Sequence, residues 1–467
     1  MKKTKIICTI GPTSESVDVI KKMIRNGMNV ARFNMSHGTH EYHKMLVDNV
    51  KQARKELSVP CGIMIDLKGP EIRIGQFENG KICLKHGQKF ILTTKKVLGT
   101  NDYVSVNYSK ICKILNIGDR VLLNDGLVEL KVIDKNNESV LTKVVVGGEL
   151  SNNKSINIPN IKLDMPFLSE VDKSDIEFAK MVDAEFLSLS FVSGEEDINI
   201  VRKYLKKIDF SNVMIISKIE NHSGVENIDE IVQSSDGVMV ARGDLGVEIE
   251  YEKIPNIQKK IIDTCKKYGK LSITATQMLE SMVYNPRPTR AEISDVANAC
   301  FDGTTCVMLS GETSAGNNPI ESVLVMRKII EESEKGLSKL GVEEFVNKKE
   351  VSASVGFSAC NLARSLDLNS ILVVTKSGIT AQNVSRFRPN VTIIASTPNY
   401  KAFNQMSIMW GVYPVIDQEY SSIDELLNSS KRKALDTKLV SSGELFVEIA
   451  GDRVRESGVN LIRVDRY

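Results

Sequence analysis

Short apolar runs alternate along the chain with longer stretches whose apolar positions recur every three to four residues. That alternation predicts buried strands joined by amphipathic helices, an α/β fold with a parallel sheet. Eight runs fit such strands: "KIICTI", "MNVARFN", "CGIMIDLKG", "EFLSLSFV", "VMIISKIE", "DGVMVARGD", "KLSITATQ" and "CVMLSGE". Apart from one large gap they recur at roughly 25–35 residues, the repeat of a (β/α)8, or TIM, barrel. One strand ending in charge is a strand entering solvent. Here the endings repeat: Arg32 and Asn34, Asp66 and Lys68, Lys218 and Glu220, Arg242 and Asp244, Thr276, then Ser310 and Glu312. Six such ends, charged or in one case a hydroxyl, converging on one rim are what a barrel active site requires.

The gap holds short β-rich pieces such as "KICLKHGQKFILTT" and "DRVLLNDGLVELKVI", with Gly, Asn and Asp between them. It predicts a small inserted β-barrel domain over 70–163, placed as a lid on a rim loop. The barrel is then split into 1–69 and 164–340. Over 341–467 the pattern restarts as helix, strand, helix, strand, helix, strand, helix and two final strands, an open α/β domain.

At 467 residues the chain has room for about three domains. A net charge of +2 gives no electrostatic footprint for nucleic acid or an anionic membrane. No apolar run is long enough for a membrane span, and Gly11-Pro12 cuts the first run short of a signal sequence. The eight cysteines form no CxxC pair and sit mostly in apolar runs, as small core residues of a reducing, cytoplasmic protein do. The spacing His37-x2-His40-x2-His43 has a metal-site look, but no fourth ligand stands nearby, and the start of a polar helix explains it better.

Glu220 and Asp244, at the ends of adjacent strands, can hold a hard divalent cation, or can be two solvated loop acids. Lys218 beside them is either a point charge for a transferring phosphoryl group or a surface lysine. Arg242-Gly243-Asp244 reads as a strand end turning tightly, with glycine letting amides approach a ligand. Thr276 reads as a hydroxyl in an apolar strand, more often a core residue than a catalyst. "TKSGIT", Thr375–Thr380, joins a strand to a helix: a capped junction, or a phosphate cradle of amides and hydroxyls.

Seven stretches resemble one family, in its order: "ARFNMSHG", "IDLKGPEIRIG", "IISKIENHSGV", "DGVMVARGDLGVEI", "ATQMLESM", "PRPTRAEISDVANA" and "VMLSGETSAG" are similar to the signatures of pyruvate kinases. The resemblance implies transfer of the phosphoryl group of phosphoenolpyruvate to ADP, giving pyruvate and ATP, with Mg2+ or Mn2+ and K+ as cofactors. By position, it implies that Arg32 and Lys218 stabilise the transferring group and that Glu220 and Asp244 hold magnesium or manganese. Thr276 falls where the enol is protonated, with Ser310 and Glu312 in the supporting proton network. The amides around Ala241, Arg242 and Gly243 face the substrate carboxylate. Asn34, Ser36, Asp66 and the Leu67 carbonyl bind potassium. Asn34, His37, Arg73 and Lys154 lie toward the nucleotide, and Asp125 in the lid approaches its magnesium.

Leu67 stands where many members have threonine, a change a backbone ligand tolerates. Glu71 is the family's mark of potassium dependence. Asn160 replaces a usual glycine in "NIPN", which shifts the placement of Lys154 by up to about a residue. In the last domain Thr375, Lys376, Ser377, Gly378 and Thr380 form the expected effector-phosphate turn, although Ile379 and "GDRVRESG" depart from the best-known sugar bisphosphate site. The resemblance further implies a phosphorylated allosteric effector and a homotetramer. Two rivals remain: a metal-dependent aldolase or lyase, which needs neither lid nor nucleotide, and a non-catalytic metabolite sensor, which does not need the Lys218, Glu220, Asp244 and Thr276 set.

Overall fold

The computed structural model describes residues 2–159, 161, 165–337, 350–420, 422–451 and 459–467. All eight expected strands form and close into one parallel barrel: β1 (Lys5–Thr9), β2 (Met28–Asn34), β3 (Gly62–Asp66), β4 (Phe186–Leu189), β5 (Met214–Ile219), β6 (Gly237–Ala241), β7 (Leu271–Ala275) and β8 (Cys306–Leu309). β8 returns to pair with β1, so no edge is left open. The two-residue side-chain period divides each strand. Ile6 and Cys8 pack outward under the helices, while Ile7 points into the barrel with Val30, Met64, Ile216, Met239 and Ile273.

The helices begin and end where local chemistry dictates. Thr289 and Glu292 form a reciprocal capping box that starts the helix Arg290–Asp302, and Gly303 at φ +86° ends it.

Between β3 and β4 lies an all-β insertion. Seven strands pair in the order Ile72–Arg73, Ser155–Asn157, Arg120–Leu123, Val128–Lys135, Ser139–Val146, Lys89–Thr93 and Tyr103–Ser105. An Ile74 to Val106 bridge joins its two outer strands, so the sheet curls onto itself around Phe90, Leu92, Leu130 and Val140. The expected boundary at Leu163 and the substitution Asn160 lie outside the described residues, as do the 340/341 boundary and most of the "GDRVRESG" segment.

The last region is a five-stranded sheet: β9 (Ser370–Val374), β10 (Thr392–Thr397), β11 (Val412–Ile416), β12 (Leu445–Ala450) and β13 (Leu461–Arg466). Its order is β11-β10-β9-β12-β13, with β13 alone antiparallel. It packs across the floor of the barrel, the end where the strands begin. Gly62 N–H donates to Ser407 Oγ at 3.2 Å and Cys61 N–H to Asn404 Oδ1 at 3.3 Å. Ile371, Val373 and Val447 belong to the same apolar cluster as Ile7 and Met64 inside the barrel. No helix among the described residues is long and apolar enough to cross a membrane.

Candidate active site

Four charged groups meet at the rim, each delivered by a strand end. Arg32 on β2 donates from Nε to Asp66 Oδ2 at 2.6 Å and from Nη1 to Thr9 Oγ1 at 2.9 Å. β2 and β3 are in register at Asn34 and Asp66, which brings the arginine alongside the acid. Asp66 Oδ1 faces Lys218 Nζ at 3.5 Å, too long for a good hydrogen bond, and has no other partner. Lys218 Nζ lies 2.9 Å from Glu220 Oε1 and donates to Ser190 Oγ at 2.8 Å. Glu220 Oε2 accepts from the Phe191 amide at 2.7 Å.

Burial alone would strip the charge from these groups, and their neighbours decide which keep it. Lys218 is fully enclosed, which lowers its pKa, but Asp66 and then Glu220 outweigh that and hold it above the ordinary lysine value. Asp66 is opposed by burial and pulled down by Lys218 and Arg32, with a net fall. For Glu220 burial wins: it is pushed up to about 7, with Lys218 pulling down and Asp244 pushing up. A buried acid raised by its own desolvation and by a second acid is a donor set that a divalent cation relieves. Among the described residues no three His, Cys, Asp or Glu side chains gather as a metal site. Two carboxylates nonetheless suit magnesium, which takes its remaining ligands from water and phosphate. For potassium, the unpartnered Asp66 Oδ1 lies beside Asn34 in the sheet register, with the Leu67 carbonyl one residue on, so the oxygen set fits a hard cation.

Two readings of the rim need correction. Arg242-Gly243-Asp244 is not a turn: β6 stops at Ala241 and a helix, Arg242–Glu248, begins at once. Its side chains also part company. Asp244 faces the cleft, whereas Arg242 turns to β7 and its loop, donating to the Thr276 carbonyl at 2.6 Å. Thr276 is not within a strand either. β7 ends at Ala275, and Thr276 and Gln277 follow at φ +66° and +53°. A left-handed backbone is costly for a β-branched residue, and such strain persists only where neighbours impose it. Here the Gly243 amide donates to Thr276 Oγ1 at 2.8 Å, while that hydroxyl donates to the Ala275 carbonyl at 2.7 Å.

Glu312 is buried, and burial raises its pKa. Its oxygens accept from the Leu279 amide at 3.0 Å and the Ser310 amide at 2.7 Å, tying the loops after β7 and β8 together.

Between rim and insertion lies a cleft of about 450 Å3, lined among others by Glu71, Asp125, Ser155, Asp244 and Glu248. The two walls are joined where Asn157 Nδ2 donates to Glu248 Oε1 at 3.0 Å. Asp125, at φ +55°, accepts from Ser155 Oγ at 3.0 Å. Arg73 pairs with Glu71 at 2.8 Å and donates to the Asn153 carbonyl. Arg73, His37, Asn34, Ser36 and Lys154 stand outside the lining of this cleft; Ser155, one residue on from Lys154, is part of it.

The histidines take separate structural roles. His40 Nε2 lies 2.6 Å from Asp175 Oδ1 and its ring stacks on Phe178, while His43 Nε2 bonds the His37 carbonyl at 2.6 Å. All eight cysteines are free, and seven are buried. At the distant "TKSGIT" turn, Thr375 Oγ1 accepts from the Gly378 amide at 3.1 Å, and the helix that follows, Ile379–Ser385, has only seven residues. Lys376 and Ser377 are exposed, with Thr380 half-buried.

Sequence reasoning missed Ser190, which accepts from Lys218 and donates to the Leu67 carbonyl at 2.7 Å. It sits at the end of "FLSLS", where an uncharged serine looks like any other strand residue. It also missed Asp295, which grips Arg242 from a helix fifty-three residues downstream.

A family model described as "Pyruvate kinase, barrel domain" matches residues 1–323, and one described as "Pyruvate kinase, alpha/beta domain" matches 353–465. A pyruvate kinase of Bacillus licheniformis is 45% identical over 471 residues, covering 99% of this chain and 80% of that one. One from Clostridium acetobutylicum is 42% identical over 472 residues and covers 99% of both. The crystal structure of a pyruvate kinase from Cryptosporidium parvum superposes with a TM-score of 0.94 at 37% identity, covering 100% of this chain and 96% of that one. A closed parallel barrel with a cation held between acids on its rim, matched over nearly its whole length in sequence and in shape, belongs to the pyruvate kinase family, phosphotransferases that pass the phosphoryl group of phosphoenolpyruvate to ADP.

Proposed function

We propose that this chain carries out that transfer through Lys218 and Arg32. The observation that supports the reading is Lys218 itself, a buried ammonium kept charged by Asp66 and Glu220. Phosphoryl transfer asks little of a protein beyond positioning and charge neutralisation, and two fixed cations at the rim supply both. Glu220 and Asp244 hold Mg2+ or Mn2+, which when bound neutralises charge on the phosphoryl and enolate oxygens. Asn34, Ser36, Asp66 and the Leu67 carbonyl hold K+, which adds a further positive charge on the phosphoryl side; Glu71, paired with Arg73, fits that dependence.

The substrate carboxylate takes the amides at the start of the Arg242–Glu248 helix, including Gly243. Thr276 Oγ1 now accepts from that amide. Exchange of hydroxyl for carboxylate frees Thr276 to face the enol carbon, where a proton is delivered. Ser310 and Glu312 keep the adjoining loops in place. The β-rich insertion closes as a lid, bringing Asp125 with Arg73, His37 and Lys154 toward the nucleotide and its magnesium.

Incubation with phosphoenolpyruvate, ADP and magnesium, with and without potassium, tests the whole reading. ATP and pyruvate are expected in equal amounts; pyruvate with inorganic phosphate in place of ATP would mean transfer to water rather than to ADP, and neither product would favour a lyase or a sensor.

The same reading puts the protein in glycolysis in the cytoplasm, as a homotetramer responding to a phosphorylated metabolite at Thr375, Lys376, Ser377, Gly378 and Thr380. Such an effector should lower half-saturating phosphoenolpyruvate by about five- to a hundredfold. Alanine at Thr375, Ser377 and Thr380 should abolish the shift, and an unchanged response would leave the turn as a capped junction.

A further inference from the structure

We infer that Asp295 is a positioning residue for enol protonation, acting through Arg242 on the strained Thr276 turn. This rests on the reading of Thr276 given above. A threonine at φ +66° followed by a glutamine at +53° does not hold itself. Arg242 supplies the restraint: Nη2 donates to the Thr276 carbonyl at 2.6 Å and contacts Met278 Sδ at 2.8 Å, and Nε donates to the Ala275 carbonyl at 3.3 Å. One guanidinium thus spans the residues before, at and after the strained turn.

A long side chain gives precision only if its far end is fixed. Asp295 fixes it, with Oδ1 and Oδ2 accepting from Arg242 Nη1 at 2.8 and 2.7 Å. The pair is charge-assisted, and the arginine side chain is only 11% exposed. Asp295 rides on the Arg290–Asp302 helix, whose capping box makes it a firm anchor. Loss of the anchor leaves Arg242 free to rotate, and Thr276 relaxes from the geometry that sets its hydroxyl. Asp295 touches neither Thr276 nor the amides assigned to the substrate, so its influence runs through Arg242.

Two activities separate this role from simple structural support. Pyruvate with magnesium, potassium and inorganic phosphate in deuterated water reports methyl exchange by proton NMR: a C–H bond breaks to give the enolate, and a deuteron returns to the same carbon. Asp295→Asn should slow exchange and turnover by about ten- to a hundredfold, the penalty of a misplaced group, with KM for ADP unchanged. Arg242→Lys keeps the charge but not the fork, and should show the same loss. Asp295→Glu should recover part of the rate. Thr276→Val tests the underlying reading: exchange at the wild-type rate there removes Thr276 from protonation. Exchange at the wild-type rate in folded Asp295→Asn or Arg242→Lys, with Thr276→Val impaired, overturns the clamp alone.

Discussion

Lys218 and Lys5 are both enclosed on strands of the same barrel, Lys218 at the rim and Lys5 at the floor, and their protonation is driven in opposite directions. Lys218 has two carboxylates within 3.5 Å and is held above the ordinary lysine value despite burial. Lys5 donates to the Val412 carbonyl at 2.6 Å and lies over the Tyr413 ring, with no carboxylate at that distance. Burial pulls it down to about 7, and the nearby Lys2, itself lowered by burial to about 8, adds to the fall. Depth is therefore not what makes a buried lysine functional. The rim spends acids to keep a charge where a phosphoryl group arrives, while the floor is sealed by the C-terminal domain and favours neutrality.

The largest effect that can break this contrast is at the rim. Lys218→Met should lower turnover at least about a hundredfold, roughly 3 kcal/mol of barrier, because one preorganised charge is lost. Methyl exchange of pyruvate should survive, unlike in Asp295→Asn, where exchange and turnover fall together. Wild-type turnover would remove Lys218 from the mechanism.

A chain in which a short linker joins Lys68 to Leu163 should come next. Its barrel should form, since closing the loop costs little extra with length. It should bind phosphoenolpyruvate but pass phosphate poorly to ADP, and full kinase activity would refute the lid.

Replacing potassium by tetramethylammonium at equal ionic strength sharpens the account of Asp66. Rates should fall because its unpartnered oxygen then faces only Lys218. Equal rates would mean that the protein's own charges suffice.

The last effect is on stability rather than turnover; it concerns the floor and has a definite sign. Unfolded, Lys5 keeps its proton to about pH 10.4; folded, it gives it up near 7. At this group the unfolded chain thus binds more protons between these values, and the contribution of Lys5 to stability rises with pH there by about 1.4 kcal/mol per unit. Below about pH 7 the cost of burying the charge is present in full. Lys5→Met removes it, so the variant's advantage over wild type should be greatest near pH 6.5 and shrink toward about pH 9.5. Denaturation midpoints at three pH values across that range measure it, and a pH-independent difference would mean Lys5 stays charged.

Much of this was legible. All eight barrel strands were visible as apolar runs, because a strand buried on both faces needs an unbroken apolar stretch. The charges were visible for the complementary reason, that nothing else explains five of eight strands ending in charged residues. Thr276 was misread because "SITATQ" has strand propensity throughout, and nothing local announces a left-handed threonine. Ser190 was passed over because a relay hydroxyl looks like any strand serine. Asp295 lay hidden among the charges of an amphipathic helix, where only the fold reveals that it faces Arg242.

The sequence by itself determined which segments become strands and helices, and which charges stand at one rim, because periodicity and strand polarity are local properties that each stretch carries with it. Tertiary structure alone decided what those charges do. Lys5 opens the first apolar run, "KIICTI", and is buried only because a domain some four hundred residues later folds across it. Lys218 stays charged only because Asp66 arrives from another strand, and Thr276 is held in its strained turn by Arg242 and Gly243, which reach over from the end of the neighbouring β6. Protonation and strain are set by what surrounds a group in space, and those surroundings come from segments far apart in the chain.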